Sequence, residues 1–430
     1  MTQRENSRPK TALFGSAMFN WSETQRMIEI AGQLHKRGWR VVFLGEGRFD
    51  RLLEGLPFLR ERLEEDRDWY TPDRIAKMLD MEKYGNRYAT PQEIDRVVCA
   101  ELRLVEKYQP DVIVTGYRMT LTLTARIAKV KLAWCLSATV SKLYLEADTA
   151  QGVAALEHLT KAELKSMPYP QVRSLYADKL MRDRAVKSCT TSQAWNEVLR
   201  LHGCAPLTDD MELFEGDINL MSDARELFPE LPCDDSHAFI GPIFNSEKIP
   251  IAPEIAEALS QPGKKVLISV GSGGKKENLI AALEAARTAD AQVFVSTIGS
   301  MTEAEMADYP SSFHFAEKFP LVEVARRCDA AVIQAGQGTL YAVLLAGCPF
   351  VSLPATFEQR HNVRNLVSCF PCGEIVYPYE VSAALIARNL QAVLTEPRYR
   401  EAAVQAKSVM EDYVAHPAEE TAAELLEAAV

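Results

Sequence analysis

Short apolar runs carrying β-branched residues recur along this chain, and between them lie longer stretches whose apolar positions return at helical spacing. Thr11–Gly15 and Arg40–Leu44 are two such runs. Between them Met27, Ile28, Ile30, Ala31 and Leu34 share one helical face that stops at Gly38. Strand, helix and strand at this length predict a parallel, right-handed βαβ unit. Asp111–Gly116 and Lys131–Leu136 repeat the strand pattern, and Lys265–Val270, Gln292–Thr297, Phe313–Phe315, Ala330–Ile333 and Phe350–Leu353 carry it through the second half. Runs that are apolar throughout, without alternation, predict strands covered on both faces, and hence an α/β fold. Val381–Leu394, Tyr399–Tyr413 and Ala418–Ala429 carry helical stripes to the end. Phe58–Tyr108 reads as helical and highly charged, with start signals at Thr71-Pro72-Asp73 and at Thr90-Pro91-Gln92-Glu93.

At 430 residues the chain is too long for one core, so two domains are expected. Residues from Asn245 to Pro253, proline-bearing and polar, read as the linker between a domain over 1–245 and one over 254–411. A net charge of −11 argues against nucleic acid as the main partner. Nothing reaches the roughly 18 apolar residues of a membrane span, and the N-terminus is polar, so the expected location is the cytoplasm. Nine scattered cysteines suit reduced thiols there. Cys369 and Cys372 form a lone CxxC with no second pair, and no metal is expected.

Two glycine-rich turns follow strand-like runs in the second half. Gly271-Ser272-Gly273-Gly274 opens the helical segment Glu277–Arg287. Gln334-Ala335-Gly336-Gln337-Gly338-Thr339 opens the apolar segment Leu340–Ala346, which Gly347 and Pro349 close. Glycine lets backbone N–H groups approach an anion with no Cβ in the way, and a helix N-terminus adds about half a positive charge. A tight βα turn without any ligand fits the glycines alone equally well.

The continuation is more specific. Ala346-Gly347-Cys348-Pro349, Pro354 and Glu358-Gln359-Arg360-His361-Asn362-Val363-Arg364 follow in order. Here the chain resembles the nucleotide-sugar glycosyltransferases of the two-Rossmann-domain (GT-B) architecture, above all the UDP-glycosyltransferase and macrolide-glycosyltransferase group. Their C-terminal domains read His-x-Gly-x-Gly-Thr, Ala-Gly-x-Pro, Pro, then Asp-Gln-x-x-Asn-Ala-x-Arg. The likeness is strong in the last third and weaker elsewhere, at Ala194–Gly203, Gly216–Met221 and Ile240–Ile243. It implies two Rossmann-like parallel-sheet domains facing a central cleft, with a C-terminal helix, about 412–430, crossing back to the first.

The resemblance implies transfer of a sugar from a UDP- or dTDP-sugar to an acceptor, with inversion and without a metal. The nucleotide sugar is then a co-substrate, and no resident cofactor is expected. It places donor binding at Gly271, Ser272, Gly273, Phe319 (within Ala316–Pro320, the nucleobase segment), Gln334, Gly336, Gln337, Gly338, Thr339, Glu358 and Gln359. Gln334 stands where the family has a diphosphate-binding histidine, and glutamine donates a hydrogen bond without a charge. Glu358 replaces the family's Asp. Asn362 and Arg364 serve either as ligands or to position the helix. Asn20, Tyr117 and Arg118 are expected on the acceptor side, near the carboxyl ends of their strands. The acceptor is unidentified, and a homodimer is compatible with the sequence.

The family's general base, a histidine in the first βα turn, is absent: Ser22-Glu23 occupies that place. Glu23 can serve if burial raises its pKa. Alternatively it only favours the helix's first turn, behind Ser22 as N-cap. As a third alternative, the acceptor is acidic enough to attack unaided. Two other readings of the chain stay open: a nucleotide-sugar 2-epimerase of the same architecture, and a non-catalytic binding protein descended from a transferase.

Overall fold

The computed structural model describes residues 8–151, 161–168, 183–244, 249–270 and 275–430. It divides into two compact units. The first comprises Met1–Asp223, Glu230–Ile243 and Pro417–Val430; the second comprises Ala224–Pro229 and Phe244–His416.

Among the described residues the first unit holds seven strands: β1 (Thr11–Ser16), β2 (Arg40–Leu44), β3 (Leu59–Glu61), β4 (Val112–Gly116), β5 (Lys131–Leu136), β6 (Ile218–Met221) and β7 (His237–Phe239). Their order is β3-β2-β1-β4-β5-β6-β7, and the paired strands run parallel. β1 is buried along its whole length, as a strand covered on both faces is. Helix α1 (Trp21–Lys36) crosses from β1 to β2. Helices α2 (Pro91–Tyr108) and α3 (Thr120–Ala128) flank β4 in the chain. The capping box expected at Thr90 and Glu93 is present. Phe58–Tyr108 is not wholly helical, because β3 lies within it and pairs with β2.

The second unit holds β8 (Lys264–Ser269), β9 (Ala291–Ser296), β10 (Phe313–Ala316), β11 (Ala330–Ile333), β12 (Phe350–Ser352) and β13 (Gly373–Ile375). Their order is β10-β9-β8-β11-β12-β13, again parallel. Its helices include α4 (Gln337–Ala346), α5 (Phe357–Cys369) and α6 (Pro397–Ala415). Arg400 of α6 clamps the base of the β11–α4 unit. Its guanidinium donates to the carbonyls of Gly347 at 2.8 Å, Asp329 at 2.7 Å and Cys328 at 3.2 Å. That satisfies the Gly347 carbonyl at the C-terminal end of α4 and two carbonyls just ahead of β11.

The chain returns to the first unit for its last helix, α7 (Ala418–Ala429). Ala418, Ala422, Ala423 and Leu426 are fully buried in the same core as α1, where small side chains let two helices approach closely. Trp39 and Arg37 both donate to Glu427, at 3.1 and 2.8 Å. Among the described residues, no helix is long and apolar enough to cross a membrane.

Each sheet starts at a central strand and then reverses direction of growth. The reversal falls between β1 and β4 in the first unit and between β8 and β11 in the second. Crevices beyond the carboxyl ends of strands at such points are where open α/β sheets take ligands.

Candidate active site

In the second unit the site is built on the turn after β11. Ala335 holds a left-handed φ of +64°, a conformation that costs a non-glycine residue about 1–3 kcal/mol and marks functional turns when it persists. Gly336 follows in extended backbone (φ −63°, ψ 143°) as the N-cap of α4. The left-handed residue is thus an alanine, and Gly336 serves through its missing side chain. No capping group closes the first turn of α4. Gly338 is exposed and Thr339 half-exposed there, so the positive end of a buried helix stays open.

A second helix start meets the first. Thr356 caps α5 and forms a capping box with Gln359. The Oε1 of Gln359 accepts three hydrogen bonds: from the Ala355 amide at 2.9 Å, the Thr356 amide at 3.2 Å and the Gln334 Nε2 at 3.2 Å. With three donors aimed at it, that atom must be the oxygen. The amide nitrogen therefore turns toward Gly336, where a Cβ would lie 4.0 Å from it. Gln334, 3 % exposed, bridges the end of β11 to the start of α5. The result is a set of neighbouring donors: an open helix end and an uncharged side-chain amide, with no Cβ at Gly336 between them.

Glu358 is half-buried in the first turn of α5. Gln337 is buried. Next along the helix, His361 stacks on Phe357 with ring centroids 3.9 Å apart, and its Nδ1 lies 3.0 Å from Arg364 Nη2. Asn362 is buried. Phe319 is also buried, at 3 % exposure. Beside that segment, the Ile298 amide donates to the Glu317 carbonyl at 2.8 Å. Ile298 itself holds φ +48°, an outlier for a β-branched residue. Gly271, Ser272 and Gly273 lie outside the described residues, as do residues 245–248 of the expected linker.

In the first unit the carboxyl ends of β1 and β4 converge on Glu23. Its Oε2 accepts from Ser16 Oγ and from the Ala17 amide, both at 3.1 Å. Its Oε1 is buried with no hydrogen-bond partner. A Cβ on Gly116 would sit 2.6 Å from that oxygen, so only glycine leaves the carboxylate its place. Burial holds the Glu23 carboxyl well above the usual carboxylate range, against the opposing pull of Arg26, Ser16 and the Ala17 amide. Tyr117, next after β4, holds φ +53°, a second strained residue at a switch point; its ring meets Phe214 at 6.3 Å.

Two expectations need correction. The N-cap of α1 is Asn20, not Ser22: Asn20 Oδ1 accepts from the Glu23 amide at 3.3 Å. Asn20 is half-buried and holds the start of α1 through that bond. Arg118 is not on an acceptor surface at all. Its side chain is 0 % exposed. It is bidentate to Asp66 at 2.8 and 3.0 Å and donates to Glu101 at 2.8 Å. Thr120 and Thr124 complete the shell around Glu101, both at 2.6 Å. This satisfied cluster stiffens the β4–α3 turn from behind. Sequence reasoning also missed Ser16 as a partner of Glu23, for which no local signal exists, and the left-handed Ala335.

Residues 280–428 match the family model of the erythromycin biosynthesis protein CIII-like C-terminal domain. A PGL/p-HBAD biosynthesis glycosyltransferase of Mycobacterium tuberculosis is 22% identical over 405 residues, covering 92% of this chain and 88% of that protein. The solved glycosyltransferase of kitacinnamycin superposes with a TM-score of 0.70 at 17% identity, covering 98% of this chain and 99% of that one. The glycosyltransferase VinC, solved in complex with dTDP, does so with a TM-score of 0.62 at 14% identity, covering 97% and 98%. The similarity runs over most of the length, and the two parallel sheets are the fold of the two-Rossmann-domain (GT-B) glycosyltransferases.

Proposed function

We propose that the second unit binds a nucleoside-diphosphate sugar, of dTDP or UDP type, with its diphosphate on the first turn of α4. The amides of Gln337, Gly338 and Thr339 and the Nε2 of Gln359 are its donors. Glu358 and Gln334 complete the donor side, with Gly271, Ser272 and Gly273 the corresponding loop after β8 and the Phe319 backbone facing the base. The observation that carries this reading is the Gln359 amide. Three donors hold its oxygen, which leaves the nitrogen presented beside a glycine.

The reaction is a single displacement. The acceptor hydroxyl oxygen bonds to the anomeric carbon as the bond to the β-phosphate oxygen breaks, inverting the configuration. The hydroxyl proton passes to Glu23 Oε1, the unpartnered oxygen, whose raised affinity for a proton suits a general base. Charge develops on the departing diphosphate. Oriented N–H groups and a helix end stabilise it without reorganisation, so no metal is required. The acceptor is a small molecule taken at the β1/β4 switch point, beside Tyr117.

The test is to incubate the protein with dTDP- and UDP-sugars, a panel of hydroxylated acceptors and excess chelator, and to assign the anomeric configuration of any product by NMR. A glycosylated acceptor of inverted configuration, formed with free nucleotide in equal amount, is expected. A retained configuration, a chelator-sensitive reaction or a donor altered with no acceptor would overturn the reading.

A further inference from the structure

The first unit carries a second chemical cluster that neither switch point uses. Asp95 and Cys99 lie one turn apart on α2, and His202 ends the helix Gln193–Leu201 that packs nearby. The imidazole Nε2 of His202 lies 2.7 Å from Asp95 Oδ1. Cys99 Sγ lies 3.7 Å from the same oxygen. The three ligand atoms fall within 4.8 Å of one another. All three residues are half-buried, which leaves a path for an ion and for a water. Among the described residues no other group of three His, Cys, Asp or Glu side chains converges in this way.

We infer that Asp95, Cys99 and His202 form a binding site for a zinc-class divalent ion, with the fourth position taken by water. Tetrahedral zinc holds sulfur at about 2.3 Å and nitrogen or oxygen at about 2.0–2.2 Å, which sets ligand atoms roughly 3.3–3.6 Å apart. The Cys99–Asp95 separation already approaches that edge length, and the Asp95–His202 edge needs to open by about half an ångström. Thiolate with imidazole is a set that selects zinc over the hard cations. On binding, the thiol proton leaves to solvent and His202 takes the tautomer with its hydrogen on Nδ1, so that Nε2 can donate its lone pair. The ion ties α2 to a second helix and takes no part in sugar transfer. The i, i+4 spacing on α2 explains why one helix supplies two of the ligands.

The test uses the full-length, reduced protein titrated with Co²⁺ as a spectroscopic stand-in for zinc. One equivalent is expected to produce a thiolate-to-cobalt charge-transfer band, which added Zn²⁺ abolishes. Cys99→Ser should remove the band. His202→Ala should weaken binding beyond the roughly 10–100-fold that loss of an outer-shell partner costs. Cys204→Ser and Cys233→Ser should keep it. Zn²⁺ should also raise the melting temperature of the native protein and leave that of Cys99→Ser unmoved, since only an ion that binds the folded state stabilises it. Absence of a thiolate band at stoichiometric cobalt, or its survival in Cys99→Ser, overturns the assignment.

Discussion

Gln334 donates its side-chain amide to the oxygen of Gln359 at 3.2 Å, and this one bond couples the end of a central strand to the first turn of another helix. It orients the Gln359 amide nitrogen toward Gly336. Substituting Gln334 by Ala removes that orienting donor and leaves the two backbone amides as the remaining anchors. We expect donor affinity to fall by about tenfold, the worth of one hydrogen bond, with turnover at saturating donor little changed. Nucleotide titration and steady-state kinetics read the two separately.

Glu23 gives a pH signature with a definite sign. Its folded pKa is raised above the ordinary 4.5. Between those two values the folded state holds a proton that the unfolded state has lost, so stability falls as pH climbs through the interval. Glu23→Gln is therefore expected to be more stable than the parent at about pH 8, the advantage vanishing below the ordinary carboxylate value. Its turnover should drop by about 10²–10⁴, the usual worth of a general base. In the parent, kcat/KM should rise with pH as the carboxyl ionises. Melting curves and rates across pH test both, and unchanged turnover in the variant would remove Glu23 from catalysis.

Gly116→Ala probes the same carboxylate from the opposite strand. The added Cβ would lie 2.6 Å from Glu23 Oε1, so the carboxylate must move. Turnover should fall by more than about tenfold, since misplacing a catalytic group by an ångström costs at least that. Nucleotide affinity, set in the second unit, should stay as it was. Steady-state kinetics beside a nucleotide titration separates the two effects.

Arg118→Ala leaves Asp66 and Glu101 buried without their cation, both at 0 % exposure. Removing one partner of such a cluster costs about 3–5 kcal/mol, and denaturant unfolding should show it. Arg118→Met, combined with Asp66→Asn and Glu101→Gln, should recover much of the loss, because neutral groups tolerate burial better than unpaired charges.

Much of this was legible in the sequence, because runs such as Val112-Ile113-Val114 are apolar at every position and parallel sheets demand that. β3 was not: Leu59-Arg60-Glu61 is three residues long, charged at two of them and on a sheet edge. Arg118 read as an accessible cation because arginines usually are. Its partners lie 52 and 17 residues away, a pairing only the fold reveals. At α1, Asn20 and Ser22 are both able caps two positions apart, and the chain uses the earlier one. The glycine turn after β11 was visible, but its left-handed residue is an alanine, for which composition offers no hint.

The central claim, that the open end of α4 and the Gln359 amide nitrogen receive the diphosphate, is tested most directly by Gln359→Glu. Glutamate keeps the oxygen that accepts from Ala355, Thr356 and Gln334, and it is equally at home in a capping box. It replaces the outward amide nitrogen with an anionic oxygen facing the proposed phosphates. Isothermal titration of parent and variant with dTDP and UDP is the measurement. At least one nucleotide should bind the parent. The variant should lose at least about a hundredfold in affinity at an unchanged melting temperature, since like charges brought together cost several kcal/mol. Equal binding by the two proteins would contradict the account.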